Sequence, residues 1–194
     1  LRFNGALFYE DWSQIQLGVQ GQSGITSILN VGDAAVKGIE GDLGWLAMEH
    51  LTLSVSGTYV DAKTTTRFCE ADRTTGIVTS TCDASALVAP SGTQLPVTPK
   101  LKGNATARYT FQVGEYDSFV QASLFHQGST TFVLEAIHNQ HVGDSPGFTT
   151  FDLSGGISQK NWRLEAYIQN LTDKRGDLGR FSQCNDFNFY CNDH

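Results

Sequence analysis

Residues 100–111 alternate along their whole length. Leu101, Gly103, Ala105, Ala107, Tyr109 and Phe111 occupy one parity, and Lys100, Lys102, Asn104, Thr106, Arg108 and Thr110 the other. A period of two sends successive side chains to opposite faces, so the segment predicts a β-strand with one apolar and one wet side. The apolar side is thin, built from Gly, Ala and aromatics. The inner face of a soluble sandwich would carry Val, Ile and Leu. A barrel in lipid needs only an apolar outer face around a polar lumen. The pattern returns along the chain and constrains its fold more than any other feature.

Composition narrows the choice. Of 194 residues, 40% are hydrophobic and 17% charged, with 20 Gly and 4 Pro; together with the Thr, Ser and aromatic content this favours an all-β chain. There is no apolar run of about 18 residues or more, hence no membrane helix. For a membrane protein that leaves the closed β-barrel. A formal net charge of -7 argues against nucleic acid as a partner. The chain opens inside a strand pattern with neither Met nor a basic leader. No closing strand follows Cys191, so the expectation is a fragment cut at both ends. Cys69, Cys82, Cys184 and Cys191 form two sequence-local pairs in polar, turn-rich stretches. Two loop disulfides and an oxidising compartment are expected. The alternatives are free thiols or a metal site, and the spacing fits no zinc motif.

Seven strands are expected, near 1–12, 35–46, 51–59, 100–111, 120–124, 151–158 and 162–169. Short links at 48–50, 114–117 and 159–161 alternate with long stretches at 18–27, 63–99 and 135–146, and a last polar stretch covers 182–194. Outer-membrane barrels sort their loops by parity in this way, with tight turns at one end and long loops at the other. Trp45, Tyr59, Tyr109, Phe111 and Trp162 lie near strand ends on the apolar parity. That suits an interfacial aromatic girdle, ordinary strand aromatics being the alternative.

Three stretches carry a family resemblance. Asn30-Val31-Gly32-Asp33-Ala34-Ala35-Val36-Lys37-Gly38-Ile39-Glu40-Gly41 resembles the NxGxAxxKGxE strand of TonB-dependent outer-membrane receptors. Phe151-Asp152-Leu153-Ser154-Gly155-Gly156, then Trp162-Arg163-Leu164 and Asn170-Leu171-Thr172-Asp173-Lys174-Arg175, is similar to their signature near the C-terminus. Gly5-Ala6-Leu7-Phe8-Tyr9-Glu10-Asp11-Trp12 is similar to their NxAxFYxDW strand. Order and spacing agree across nearly the whole chain.

The resemblance implies a barrel of 22 antiparallel strands with an N-terminal plug, of which residues 1–194 would form strands 15 to 21. The plug, the TonB box and the final strand would be absent, and position 176 is Gly where the family often has an aromatic. The implied function is active transport across the bacterial outer membrane: uptake of a large scarce solute, first of all a ferric siderophore. The implied partners are outer-membrane lipid and, through the missing plug, TonB. No cofactor, no resident metal and no catalytic residue are implied.

Candidate residues follow. Glu40, Asp42, Lys102, Arg108, Asp152, Arg163 and Glu165 sit on the polar parity and are expected to line the lumen. There the carboxylates should pair with basic neighbours such as Lys102 or Arg108 rather than do acid–base work. Arg67, Phe68, Arg73, Phe132, His138, His141, Phe187, Phe189 and Tyr190 lie in or beside the long segments. Aromatics and Arg are favoured at binding hot spots, and packing inside the loops is the competing reading. Two further classes stay open: a small complete barrel acting as a passive channel or enzyme, and a secreted β-sandwich that binds carbohydrate. An odd strand count opposes the first, and thin apolar faces oppose the second.

Overall fold

The computed structural model describes residues 1–20, 26–30, 32–70, 79–134, 143–180, 182–185 and 190–193. Its strands are β1 (Arg2–Trp12), β2 (Gln16–Gln20), β3 (Thr26–Asn30), β4 (Ala34–Met48), β5 (Leu51–Thr64), β6 (Phe68–Cys69), β7 (Leu87–Ala89), β8 (Leu101–Val113), β9 (Tyr116–Gln127), β10 (Phe148–Gln159), β11 (Trp162–Ile168), β12 (Ser182–Asn185) and β13 (Tyr190–Asp193). Seven of them form one antiparallel sheet in the order β1-β4-β5-β8-β9-β10-β11. The two end strands, β1 and β11, do not pair with each other, so the sheet is open.

One register runs through all seven strands. Gly5 faces Gly41, Gly41 faces Gly57, and Gly57 faces Gly103. Further along, Ala107 faces Ala122, Ala122 faces Leu153, and Leu153 faces Ile168. Each apolar row therefore continues into the next, and across the middle of the sheet one side is apolar. Leu7 is 81% exposed there and Leu164 65%, which suits lipid and not water. The opposite face is polar. Thr106 and Ser123 share a hydroxyl bond of 3.2 Å, and Arg108 donates to Gln121 at 3.1 Å.

Three two-residue links join neighbours at one end of the sheet: Glu49-His50, Gly114-Glu115 and Lys160-Asn161. Gly114 has φ +64°, the left-handed start that a tight hairpin turn favours. All long connections leave from the other end. The main strands also outrun their hydrophobic pattern. β4 has 15 residues and β5 has 14, more than the ~9–11 that cross a bilayer. Beyond Ile39 and Tyr59 the apolar parity turns polar, with Lys37 facing Asp61 and Asp11 facing Ala35. The ladder continues where the alternation has faded.

Stretches 18–27 and 63–99, expected as irregular, hold the short pairs β2–β3 and β6–β7. Strands of two to five residues are too short for a period of two to stand out. Gly38 lies under the Phe8 ring and against the Tyr59 carbonyl, where a Cβ would collide with both.

Two outcomes are expected. Gly38→Ala, in the receptor expressed from its full gene, costs about 1–3 kcal/mol through a forced backbone shift, read as a lower midpoint of heat-modifiable gel migration. The isolated chain, with two unpaired edges, shows no heat-modifiable species in detergent; a folded band there would contradict the open sheet.

Candidate ligand vestibule

The long connections fold inward over the polar face. Asp33 organises the first. Its carboxylate accepts the Gln14 backbone N–H at 2.9 Å, while its own N–H donates to the Thr66 hydroxyl at 2.8 Å. Its carbonyl takes the Thr65 N–H, and the Gly32 carbonyl takes that of Ile15. Gly32 has φ +126°, and a Cβ there would meet the Thr66 hydroxyl, so the glycine of the Gly32-Asp33 motif is dictated by backbone shape and close approach.

Two small apolar clusters form above the sheet. Ala34, Ala62 and Leu95 make one, with Val36 and Val60 packed on it; Phe68, Ala89 and Leu134 make the other, with Val88. Ile15 packs against both. Leu95 reaches over the inward parity of β4 and β5, and its N–H donates to the Ala62 carbonyl at 2.9 Å. The Cys69–Cys82 disulfide, with Cα atoms 6.1 Å apart, staples the segment that carries Phe68. By chain entropy such a loop is stabilised by about 3 kcal/mol.

A half-open cavity of about 330 Å³ lies between these loops and the top of β1. Trp12, Ile15, Leu95 and Pro96 give it apolar walls, and Ser13, Gln16 and Thr98 neutral polar ones. Trp12 donates its indole N–H to Glu10 at 3.1 Å. Val97, between Pro96 and Thr98, holds φ +59° and donates to the Thr131 carbonyl at 2.8 Å. A β-branched residue in that region is strained.

The seven polar-parity residues named from sequence, Glu40, Asp42, Lys102, Arg108, Asp152, Arg163 and Glu165, fall on the one inward face by register. Glu165 has a basic neighbour as its partner, and Asp42 has a neutral amide instead. Asp42 accepts both Asn4 amide bonds, at 2.9 and 3.1 Å, and Arg163 pairs with Glu165 at 3.0 Å. Thr58 stands between Glu40 and Lys102 in the register, which separates those two by two strand spacings. Arg108 lies 3.6 Å from the centroid of the Phe119 ring and Arg163 5.3 Å. Phe119 is seated over Gly156, where any Cβ would strike the ring.

Of the loop candidates, Arg67 is exposed and Phe132 half-buried. Phe68 is 2% exposed inside the second apolar cluster, so it supports the vestibule from behind. Arg73, His138, His141, Phe187 and Phe189 lie outside the described residues, as does the side chain of Tyr190. Trp12, Ile15, Leu95 and Pro96 were not singled out as ligand contacts. Trp12 stood only within a strand motif, and the other three look like ordinary loop apolars.

The last motif is a hook. Asn170, with φ +50°, donates its backbone N–H to the Asp152 carboxylate at 2.7 Å, and its side chain exchanges bonds with the Lys174 backbone at 2.9 and 3.1 Å. The Phe148 ring covers Gly176, so a neighbouring aromatic occupies the space that a side chain at 176 would need.

An apolar outer face, a polar inner face, tight turns at one end and in-folded loops at the other define a wall of an outer-membrane-type β-barrel receptor. Residues 1–171 match the family described as TonB dependent receptor-like, beta-barrel, and the chain belongs to that family of transport receptors. Its fold is similar to the ferric yersiniabactin uptake receptor FyuA of Yersinia pestis, at 17% identity and TM-score 0.67, over 92% of this chain and 23% of that one. It is similar also to BauA, the ferric preacinetobactin receptor of Acinetobacter baumannii, at 16% identity and TM-score 0.58, over 96% and 24%. A third is the siderophore receptor PiuA of Acinetobacter baumannii, at 19% identity and TM-score 0.60, over 91% and 22%. The chain spans about a quarter of the length of these receptors. A search of curated proteins finds no match.

Cys184 faces Cys191 in the β12–β13 ladder, and their side chains lie outside the described residues. Non-reducing peptide mapping is expected to recover two bridges, Cys69–Cys82 and Cys184–Cys191. Free thiol at Cys184 would refute the second pair.

Proposed function

We propose that this chain is the C-terminal part of the barrel of a receptor that carries a ferric siderophore across the bacterial outer membrane. Its seven sheet strands would correspond to strands 15 to 21 of 22, and TonB would supply energy through a plug outside this chain. The carrying observation is the in-folding of the long connections: they turn back over the polar face and build an apolar, half-open cavity there. A passive pore has no need of such a cavity. The three structurally similar receptors, each described as taking a siderophore or a ferric siderophore, support the choice of solute.

On this reading the chain contributes wall, lumen lining and part of the outer vestibule. Glu40, Asp42, Lys102, Arg108, Asp152, Arg163 and Glu165 keep the lumen wet. Arg67 and Phe132, with Arg73, His138, His141, Phe187, Phe189 and Tyr190, belong to the loops that would meet the solute. No step of covalent chemistry is required.

The test is uptake of radiolabelled ferric siderophores by iron-starved cells. Deleting the gene should abolish uptake of one complex, a plasmid copy should restore it, and loss of TonB should abolish it again. Uptake of every complex tested at wild-type rate in the deletion strain would refute the proposal.

A further inference from the structure

We propose that the cavity beside Trp12 takes an aromatic, low-charge portion of the ferric chelate and discriminates against polyanionic complexes. This assignment rests on the uptake reading above. Three observations carry it.

The first is the lining. Trp12, Ile15, Leu95 and Pro96 form the walls, and the remaining lining groups, Ser13, Gln16 and Thr98, are neutral. An indole and a proline make an apolar slot that suits a flat ring. Trp12 is 49% exposed, and its N–H is already taken by Glu10. What it offers a ligand is therefore ring surface.

The second is charge. Two carboxylates are bonded to this part of the chain: that of Glu10 to Trp12, and that of Asp33 to the Gln14 backbone between Ser13 and Ile15. Among the described residues, no Lys or Arg lines the cavity. A trianionic iron complex brought here would face like charge in a partly desolvated site, which opposes binding. A neutral or singly charged complex would not.

The third is the strained turn. Val97 keeps a left-handed backbone with its side chain 66% exposed. The residues on either side of it, Pro96 and Thr98, both line the cavity. Strain of this kind concentrates at ligand clamps and persists only where the surroundings enforce it. Here the enforcing bond is Val97 N–H to the Thr131 carbonyl.

The experiment uses the receptor expressed from its full gene, purified in detergent and titrated with three radiolabelled iron complexes. These are a linear ferric trihydroxamate, the same trihydroxamate carrying a phenyl group on its free amine, and a ferric triscatecholate. Heat-modifiable migration confirms that each variant folds. The phenyl group should tighten binding about three- to tenfold, the range that a ring contact supplies, and the triscatecholate should bind most weakly. Trp12→Ala should erase the gain from the phenyl group, so that the two trihydroxamates bind alike; Trp12→Gln serves if the first variant misfolds. Glu10→Lys should narrow the deficit of the triscatecholate. A phenyl gain that survives loss of the indole would overturn the assignment, as would a triscatecholate that binds tightest and ignores Glu10→Lys. Both results leave the uptake reading standing. Failure of any iron complex to bind the folded receptor would overturn the two together.

Discussion

The antiparallel backbone ladder from β1 to β11 is the interaction on which the rest depends. In hydrocarbon an unpaired N–H or carbonyl costs several kcal/mol, so strands that cross lipid must pair continuously and in one register. A slip of one residue would reverse every side chain on a strand. Here it would put Arg108 into lipid and Ala107 into the lumen. The unbroken rows through Gly41, Gly57 and Gly103 and through Ala107, Ala122 and Leu153 show that no such slip occurs. The one register shift among these pairs, between Leu46 and Met48, sits beside the tight turn at 49–50, where ladder continuity matters least.

Once the faces are fixed, the inward face needs a different stabilising chemistry. It is wet, so it is held by hydrogen bonds and ring contacts between neighbours in the register. Asp42 with Asn4 and Arg108 with Gln121 are next-strand contacts, Arg108 meets the Phe119 ring diagonally, and Arg163 reaches the same ring across β10. Glycine serves as a seat on this face. Phe8 lies over Gly38 and Phe119 over Gly156, so bulky rings stay close to the wall and clear of the lumen.

The sheet was legible in the sequence because lipid enforces the alternation of each spanning segment. The strand extensions were not, because above the apolar band the outward parity turns polar while Val36, Val60 and Ala62 make the inward one apolar, so the alternation that marks the spanning segment is lost. The partners of Glu40 and Asp42 were not legible either, since charge sign alone does not say which residues are adjacent; the register put Thr58 between Glu40 and Lys102. The motifs were visible as words without their grammar. Asp33 and Asp152 stood out by resemblance, but their work is to accept the backbone N–H groups of distant turns, those of Gln14 and Asn170. The cavity had no signal at all, because its walls come from 12–16 and 95–98, and no local pattern joins those segments.

Ile15 shows how these layers meet. It lines the cavity and packs against both apolar clusters, one resting on the sheet through Ala34 and Ala62, the other on Phe68 beside the disulfide. Its own position is set by the bond from its N–H to the Gly32 carbonyl and by the Asp33 latch next to it. Residues buried behind the cavity therefore shape it as much as those that face it. Phe68 is the instance: a residue that reads as a binding aromatic is placed where it holds the wall. The Gly32-Asp33 motif fits the same account. It holds a turn at the rim of the sheet, while the solute would be read by Trp12 and Pro96, side chains free to vary without disturbing that turn.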